Sequence, residues 1–450
     1  MRAALSFWSL RGFVLTAWLV AMIGGMSGAD AGDAPRGLRD TEIENDIRTL
    51  AGPVWRAAGL DPGEVAIYLI DDRRLNSFVA GGQAIFINTG LIERAENPNQ
   101  LIGVIAHETG HIVGGHLVRA KEEMRNASIK SIIAMAAAAA AAVAGRSGAP
   151  LLGAAGVGER SYLQFSIGQE STADHAALNY LDRACQSARG LLKFFEILQS
   201  NEMLSGDRGD AWSRTHPLTA QRIEYLRGHV ERARCSNAPA RPGSAELLRL
   251  IQGKLHAFLD APSTTLAAYP PSDNSELARY ARAIAYYRTP DLDKALPAID
   301  GLIRDFPKNP YYRELKGQML FENGRIREAM RPYEDAVRLM PSAALLRIAL
   351  AQTYIETGDP ALNKRAIAYL NDASHKEGRD SAVWHFLAVA YGRDNQLGMA
   401  ALSLAEQALA NGKKKDAVRE ANRAKQLLAR NTAAYARAEE IHREAKQSDE

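Results

Sequence analysis

The sequence predicts a mainly α-helical chain in two parts, an N-terminal domain of helices with one small β-sheet and a C-terminal α-helical repeat solenoid. Three patterns carry that expectation. Apolar residues recur at helical spacing before residue 60 and again near residue 100, a segment from Glu64 to Asn88 is rich in β-branched and aromatic residues, and beyond Ala245 alanines return at a period near 34 residues.

At 450 residues, 46% hydrophobic and 24% charged, the chain can bury several cores. Its formal net charge of +3 is small, and no long basic stripe is interleaved with aromatics, so no nucleic-acid partner is expected. Arg2 and Arg11 precede an apolar run from Phe13 to Ile23, which gives way at Gly24-Gly25 and ends in small residues up to Ala31. That layout predicts a signal peptide over residues 1–31 and a soluble, exported mature chain, since a spanning anchor needs roughly 20 apolar residues. No cysteine lies near the cleavage region to take a lipid. Cys185 and Cys235 are the chain's two cysteines, and the sequence leaves open a disulfide or two separate thiols.

Ile43, Ile47, Leu50 and Val54 mark a first amphipathic helix from about Asp40 to Ala58, which Asp61-Pro62-Gly63 then breaks. Glu64 to Ile70 and Ser77 to Asn88 read as strands, the second divided by Gly81-Gly82. Asn97 as N-cap, Pro98 at the first helical position and Gln100 as the reaching-back side chain start the next helix.

That helix carries His107-Glu108-Thr109-Gly110-His111. Residues four apart stand about 40° apart around a helix, so His107 and His111 share one face and can hold one Zn²⁺, with Glu108 beside them as the general base that activates water and passes the proton to a leaving amine. The preceding residues are apolar, so the histidines would emerge from a buried helix, where an unpaired polar group is costly. A third ligand is needed. His116, nine residues from His107, would be half a turn out of phase on a continued helix and reads as structural. Glu170 is the better candidate, because Gln169 to Asp174 opens another helical pattern with two acids on one face. Glu170 would bind zinc and Asp174 would accept from the distal nitrogen of a ligand histidine.

Taken with Asn76-Ser77-Phe78, Gly81-Gly82, Thr89-Gly90-Leu91, Thr215-His216-Pro217 and Arg222, these motifs resemble the Ste24/HtpX superfamily of zinc peptidases, and within it the periplasmic BepA-like branch with a C-terminal tetratricopeptide domain. The resemblance implies a gluzincin-type metallopeptidase fold. It further implies that Ala84 to Asn88 forms an exposed sheet edge along which substrate backbone is laid, that His216 stabilises the developing oxyanion or closes the open zinc position to hold the enzyme latent, and that Arg222 supports that site.

Ser131 to Ala144 is dominated by alanine and followed by a glycine-containing stretch to Gly158. About fourteen residues are too few to span a bilayer, which leaves a lid, a surface touching membrane or a partner, or a packed helix. The domain reading is 32–237 for the peptidase domain, 238–244 for a linker and 245–450 for the repeats. Ala295, Ala329, Ala366 and Ala400 are separated by 34, 37 and 34 residues, the tetratricopeptide period with one short insertion. The clearest unit, Pro310 to about Ala343, has Gly317, Gly324, Ala329, Tyr333, Ala336 and Pro341 where paired helices need small or aromatic contacts. Trp384, Leu387 and Tyr391 mark one later helix, and Gly412, Ala417, Ala421 and Ala424 a final pair. Stacked pairs present a surface for partner proteins or serve to cap the peptidase domain.

Two functions are expected from this reading. One is a zinc endopeptidase of the cell envelope that degrades misfolded or stalled envelope and outer-membrane proteins, its repeats recruiting substrate or outer-membrane assembly machinery. The other is a chaperone or adaptor whose proteolysis is latent or vestigial. Peripheral membrane contact through the alanine-rich segment stays open in both.

Overall fold

The computed structural model describes residues 36–116, 158–205, 212 and 216–447. The expected signal peptide and the alanine-rich segment 131–144 lie outside the described residues. Four strands form one sheet: β1 Arg36–Leu38, β2 Ala66–Asp71, β3 Ser77–Ala80 and β4 Ala84–Asn88. Their order is β1-β2-β4-β3. β2 and β4 run parallel, with Ile67 opposite Ile85, while β1 on β2 and β3 on β4 are antiparallel, with Phe78 opposite Phe86.

This order corrects one expectation. β4 is not an exposed edge; it lies between β2 and β3, with all five residues buried. Its sequence explains the placement, since Ala-Ile-Phe-Ile has an unbroken apolar run suited to a strand covered on both faces. The edge on that side is β3.

The helices of the N-terminal domain are α1 Thr41–Ala57, α2 Thr89–Glu93, α3 Pro98–Val113, α4 Gly158–Arg183, α5 Arg189–Ser205 and α6 Ala220–Arg232. Helix α4 begins at Gly158, so Gln169 stands inside it and does not open it. Ile43, Ile47, Leu50, Val54 and Trp55 of α1 pack with Ile67, Leu69, Ile85 and Ile87 on one face of the sheet and with Leu101, Val104 and Ile105 of α3 in one core. The opposite face of the sheet carries Tyr68, Phe78 and Phe86, with ring centroids 5.0 Å apart in both stacked pairs. Cys185 and Cys235 form a disulfide joining the end of α4 to the segment after α6.

The C-terminal region comprises α7 Ser244–Leu259, α8 Pro262–Ala268, α9 Glu276–Arg288, α10 Leu292–Asp305, α11 Pro310–Glu322, α12 Ile326–Leu339, α13 Ala344–Glu356, α14 Pro360–Glu377, α15 Ser381–Arg393, α16 Leu397–Ala410, α17 Lys414–Leu427 and α18 Ala433–Gln447. From α9 onward the helices pair in sequence order. Ala295, Ala329 and Ala366 are fully buried on the second helices of the first three pairs, where a small side chain lets paired axes approach. Gly317 of α11 lies under the Tyr333 ring of α12, and a Cβ there would stand 2.8 Å from three ring carbons.

The solenoid is seated on the N-terminal domain. Leu248, Ile251 and Leu255 of α7 enter the N-terminal core. The start of α1 meets the first helices of successive pairs. Lys254 reaches both Asp40 and Glu42 at 2.8 Å, the Tyr280 hydroxyl donates to Glu42 (2.7 Å), and the Thr41 hydroxyl donates to Glu314 (3.0 Å). Further along, Arg39 donates to Glu377 at 2.7 and 2.9 Å, and Arg379 lies against Gly81 in the β3–β4 turn. Burial among like charges pushes Asp46 and Glu314 at this junction each up to about 8.

Candidate metal centre

Helix α3 starts where the sequence places it. Asn97 Oδ1 accepts from the Gln100 N–H (3.2 Å), and the Gln100 side chain accepts from the Glu96 N–H (2.7 Å). The whole helix from Gln100 to His111 is buried, and two glycines allow its neighbours in. The more consequential is Gly110: a Cβ there would lie 2.7 Å from the Ala173 carbonyl oxygen of α4. Only because α3 and α4 touch at backbone distance can the Glu170–Asp174 turn reach the two histidines.

His107 and His111 turn their Nε2 atoms toward each other at 3.1 Å. Glu170 brings Oε2 to 3.3 Å from His107 Nε2 and Oε1 to 3.3 Å from His111 Nε2. His216 adds Nδ1, 3.4 Å from His107 Nε2 and 3.0 Å from Glu170 Oε1. All four residues are buried. Ligand bonds of about 2.0–2.1 Å at tetrahedral angles imply ligand-to-ligand edges of about 3.3–3.4 Å; the separations above lie near that length, and one donor atom from each of the four residues falls within 4.8 Å of the others. The two-imidazole, one-carboxylate set with a third imidazole at the remaining corner also suits a borderline divalent cation.

Around this cage the other sequence-predicted residues take distinct places. Asp174 Oδ1 sits 2.9 Å from His107 Nδ1. Arg222 donates to both oxygens of Asp174 at 2.6 and 3.0 Å, pairs with Glu170 at 3.1 Å and donates to the Pro217 carbonyl at 2.7 Å. Its guanidinium also covers the Phe195 ring at 4.9 Å. Thr219 caps α6 by accepting from the Arg222 N–H (3.3 Å), which places Arg222 in the first turn, facing α4. Burial alone would raise Asp174 and Glu170. The His107 and Arg222 contacts overcome it at Asp174, and the three histidines overcome it at Glu170, so both stay below their ordinary values. Burial pulls His107 down, yet Asp174 and Glu170 outweigh it and push His107 up to about 9, while burial holds His111 below its ordinary value.

Glu108 reaches β3 and stands beside His216, whose Nε2 lies 3.7 Å from Glu108 Oε1. Ser77 donates its hydroxyl to Glu108 Oε1 at 2.7 Å, and Glu108 Oε2 is buried with no hydrogen-bond partner among the described residues. A buried carboxylate oxygen left unpaired is costly, so Oε2 has acceptor capacity that the described residues do not use. His216 Nε2 lies 3.2 Å from the Ser77 carbonyl, so His216 spans the gap between the cage and the edge strand.

Sequence reasoning missed the roles of two residues. Ser77 stands in the sequence reading as a strand residue and in the Asn76-Ser77-Phe78 motif, with no contact to Glu108 assigned to it. Trp212 is fully buried and stacks on His216 with centroids 4.4 Å apart and planes at 24°, and its carbonyl accepts the His216 N–H at 2.7 Å. A tryptophan four residues before a histidine was the available signal. His116 does not join the cage, in keeping with its structural reading, but it touches His111.

Comparison with known proteins agrees with this architecture. Residues 38–230 match peptidase family M48, and residues 320–390 match the tetratricopeptide repeat family. The chain is 24% identical over 332 residues to a beta-barrel assembly-enhancing protease of Escherichia coli K12, covering 72% of this chain and 66% of that protein. The protein of the same name from Yersinia pestis is 24% identical over 361 residues, covering 75% and 71%. Metalloprotease LoiP of Escherichia coli K12 is 28% identical over 192 residues, covering 42% and 72%. The chain thus spans slightly less than two thirds of the first of these relatives. Among the described residues, no helix is long and apolar enough to cross a membrane.

Proposed function

We propose that this chain, which carries an M48 peptidase domain followed by tetratricopeptide repeats, is a zinc-dependent endopeptidase of the periplasm held in a latent state by His216. The observation that carries the reading is the cage: His107, His111, Glu170 and His216 present donor atoms all within 4.8 Å of one another, beside a Glu108 oxygen with no hydrogen-bond partner among the described residues. Zinc bound there would supply Lewis-acid polarisation of a peptide carbonyl and acidify water.

The protein's own groups then divide the work. His107, His111 and Glu170 would hold the metal, and Asp174, itself held by Arg222, would fix the His107 tautomer. Ser77 anchors Glu108 through Oε1, which leaves Oε2 to take the proton of the attacking water and return it to the leaving amine. β3 is hydrogen-bonded to β4 along one side, and an extended peptide added to its other side would recognise substrate by backbone. His216 stands at the fourth corner and against the Ser77 carbonyl, so substrate entry requires it to swing out, after which its imidazole can donate to the developing oxyanion.

Misfolded or stalled envelope and outer-membrane proteins are the proposed substrates; the relatives' names, which speak of β-barrel assembly and of a protease, support a protein substrate and an envelope setting. The disulfide supports an oxidising compartment. The first helices of the early repeat pairs are engaged by α1, so recruitment of substrates or assembly machinery falls to the remaining repeat surface. The closed fourth corner also favours a second reading, a chaperone or adaptor in which proteolysis is latent.

Metal analysis and casein cleavage separate the two. The endopeptidase reading expects about one zinc per chain, cleavage abolished in Glu108→Gln with metal retained, and faster cleavage in His216→Ala. A chain that binds zinc but cleaves no faster in His216→Ala than in Glu108→Gln is the adaptor.

A further inference from the structure

Helix α3 ends in Val113-Gly114-Gly115, and the manner of its ending creates a contact that a continued helix could not make. Gly115 adopts the left-handed conformation with φ +61°. Its N–H donates to the Ile112 carbonyl, and the His116 N–H donates to the His111 carbonyl, both at 3.2 Å. These are the paired bonds of a Schellman ending. The chain therefore doubles back and lays His116 against the side of His111 that faces away from the cage. The His116 Nδ1 lies 3.0 Å from the His111 Nδ1, the rings meet edge to face at 82° with centroids 4.9 Å apart, and His116 is buried. Gly114 gives the ring its room, since a Cβ there would stand 2.5 Å from His116 Nε2.

We propose that His116 is a positioning residue of the metal centre: by accepting a hydrogen bond from His111 Nδ1, it fixes the tautomer and rotation with which His111 presents Nε2 to the metal. The inference rests on the reading of His107, His111 and Glu170 as ligands. An imidazole that offers the Nε2 lone pair carries its proton on Nδ1. The nitrogen 3.0 Å from that proton-bearing atom must then be an acceptor, which places the proton of His116 on Nε2. Asp174 serves His107 in the same way at 2.9 Å. The two ligand histidines are thus held by unlike partners, a carboxylate for one and a neutral imidazole for the other. A charged acceptor bonds more strongly than a neutral one, so His111 is the more weakly anchored of the two and the more sensitive to loss of its partner.

The full chain loaded with Zn²⁺, and separately with Co²⁺ as a visible reporter of donor geometry, provides the test. Competition against a chelator gives the affinity of wild type, His116→Leu and His116→Asn. Asparagine sets an amide oxygen near the place of imidazole Nδ1 and keeps an acceptor, whereas leucine keeps bulk without one. His116→Leu is expected to weaken Zn²⁺ binding about 10- to 100-fold and to change the Co²⁺ absorption spectrum. His116→Asn is expected to restore both to near wild type. Wild-type affinity and spectrum in His116→Leu would overturn the proposal. So would a His116→Asn variant as impaired as His116→Leu, because packing and not the acceptor would then be at work. Wild type that binds neither ion would overturn the metal-centre reading itself, an outcome distinct from a selective failure of the His116 variants.

Discussion

Gly110→Ala tests how the site is assembled without touching any group that performs chemistry. The added Cβ would lie 2.7 Å from the Ala173 carbonyl oxygen and 2.8 Å from the Ala173 Cα, whereas ordinary contact begins at 3.4 Å. Both obstacles are backbone, so neither can rotate aside, and α3 and α4 must part by about 0.7 Å. Ala173 stands between Glu170 and Asp174, so the displacement passes directly to both. A metal site tolerates about 0.2 Å in its ligand distances. The expected result is a destabilisation of about 1–3 kcal/mol with a loss of Zn²⁺ affinity of about 10- to 100-fold, comparable to removing an outer partner of a ligand. Chelator competition reads the affinity, and urea unfolding followed by circular dichroism reads the stability. A variant that binds Zn²⁺ within twofold of wild type would refute the idea that backbone contact between α3 and α4 sets the cage.

Three further outcomes follow from other parts of the molecule. Arg222→Ala removes a buried cation and leaves Asp174 and Glu170 without it; urea unfolding of metal-free protein should show a loss of about 3–5 kcal/mol, and a loss under about 1 kcal/mol would contradict the pairing described. Asp46 has a folded-state value of about 8, above the ordinary 3.8, so the folded chain keeps a proton that the unfolded chain releases: the stability it contributes is full below about pH 4 and is lost as pH rises through about 8, by up to about 1.4 kcal/mol per pH unit. Thermal melts across that window should flatten in Asp46→Asn, and an unchanged pH slope would contradict it. Cys185→Ser opens a disulfide spanning 50 residues and should cost about 2–4 kcal/mol, read by unfolding under oxidising conditions. The same change should leave wild type and variant alike once a reductant is present.

The His-Glu-x-x-His motif was legible because its geometry is local: a helix converts spacing into a shared face whatever surrounds it, and the Asn97 cap and Pro98 fix where that helix begins. Glu170 and Asp174 were legible for the same reason as a pair, four apart on one helix face. The repeats were legible because the alanine period is set within each pair, with Ala295, Ala329 and Ala366 buried and Ala400 partly so. Strand order was harder. Ser77–Ala80 and Ala84–Asn88 both looked like strands, but which lay outermost depended on β2 pairing in parallel with β4, a contact between segments separated by the Gly81-Gly82 turn and β3.

The sequence by itself determined the helices, the period of the repeats and the two pairs His107–His111 and Glu170–Asp174, since each follows from spacing along one element, whereas His216 and Arg222 came from the family resemblance. Tertiary structure alone decided the rest. It brought His216 to the fourth corner of the cage, stacked Trp212 on it and aimed Ser77 at Glu108. It joined Cys185 to Cys235, and it engaged the first repeats with α1. Each of those contacts joins residues distant along the chain or on different elements, and it exists only once buried glycines such as Gly110 let backbones meet and a left-handed Gly115 turns the chain. No periodicity records such meetings, because they are properties of packing and not of any one element.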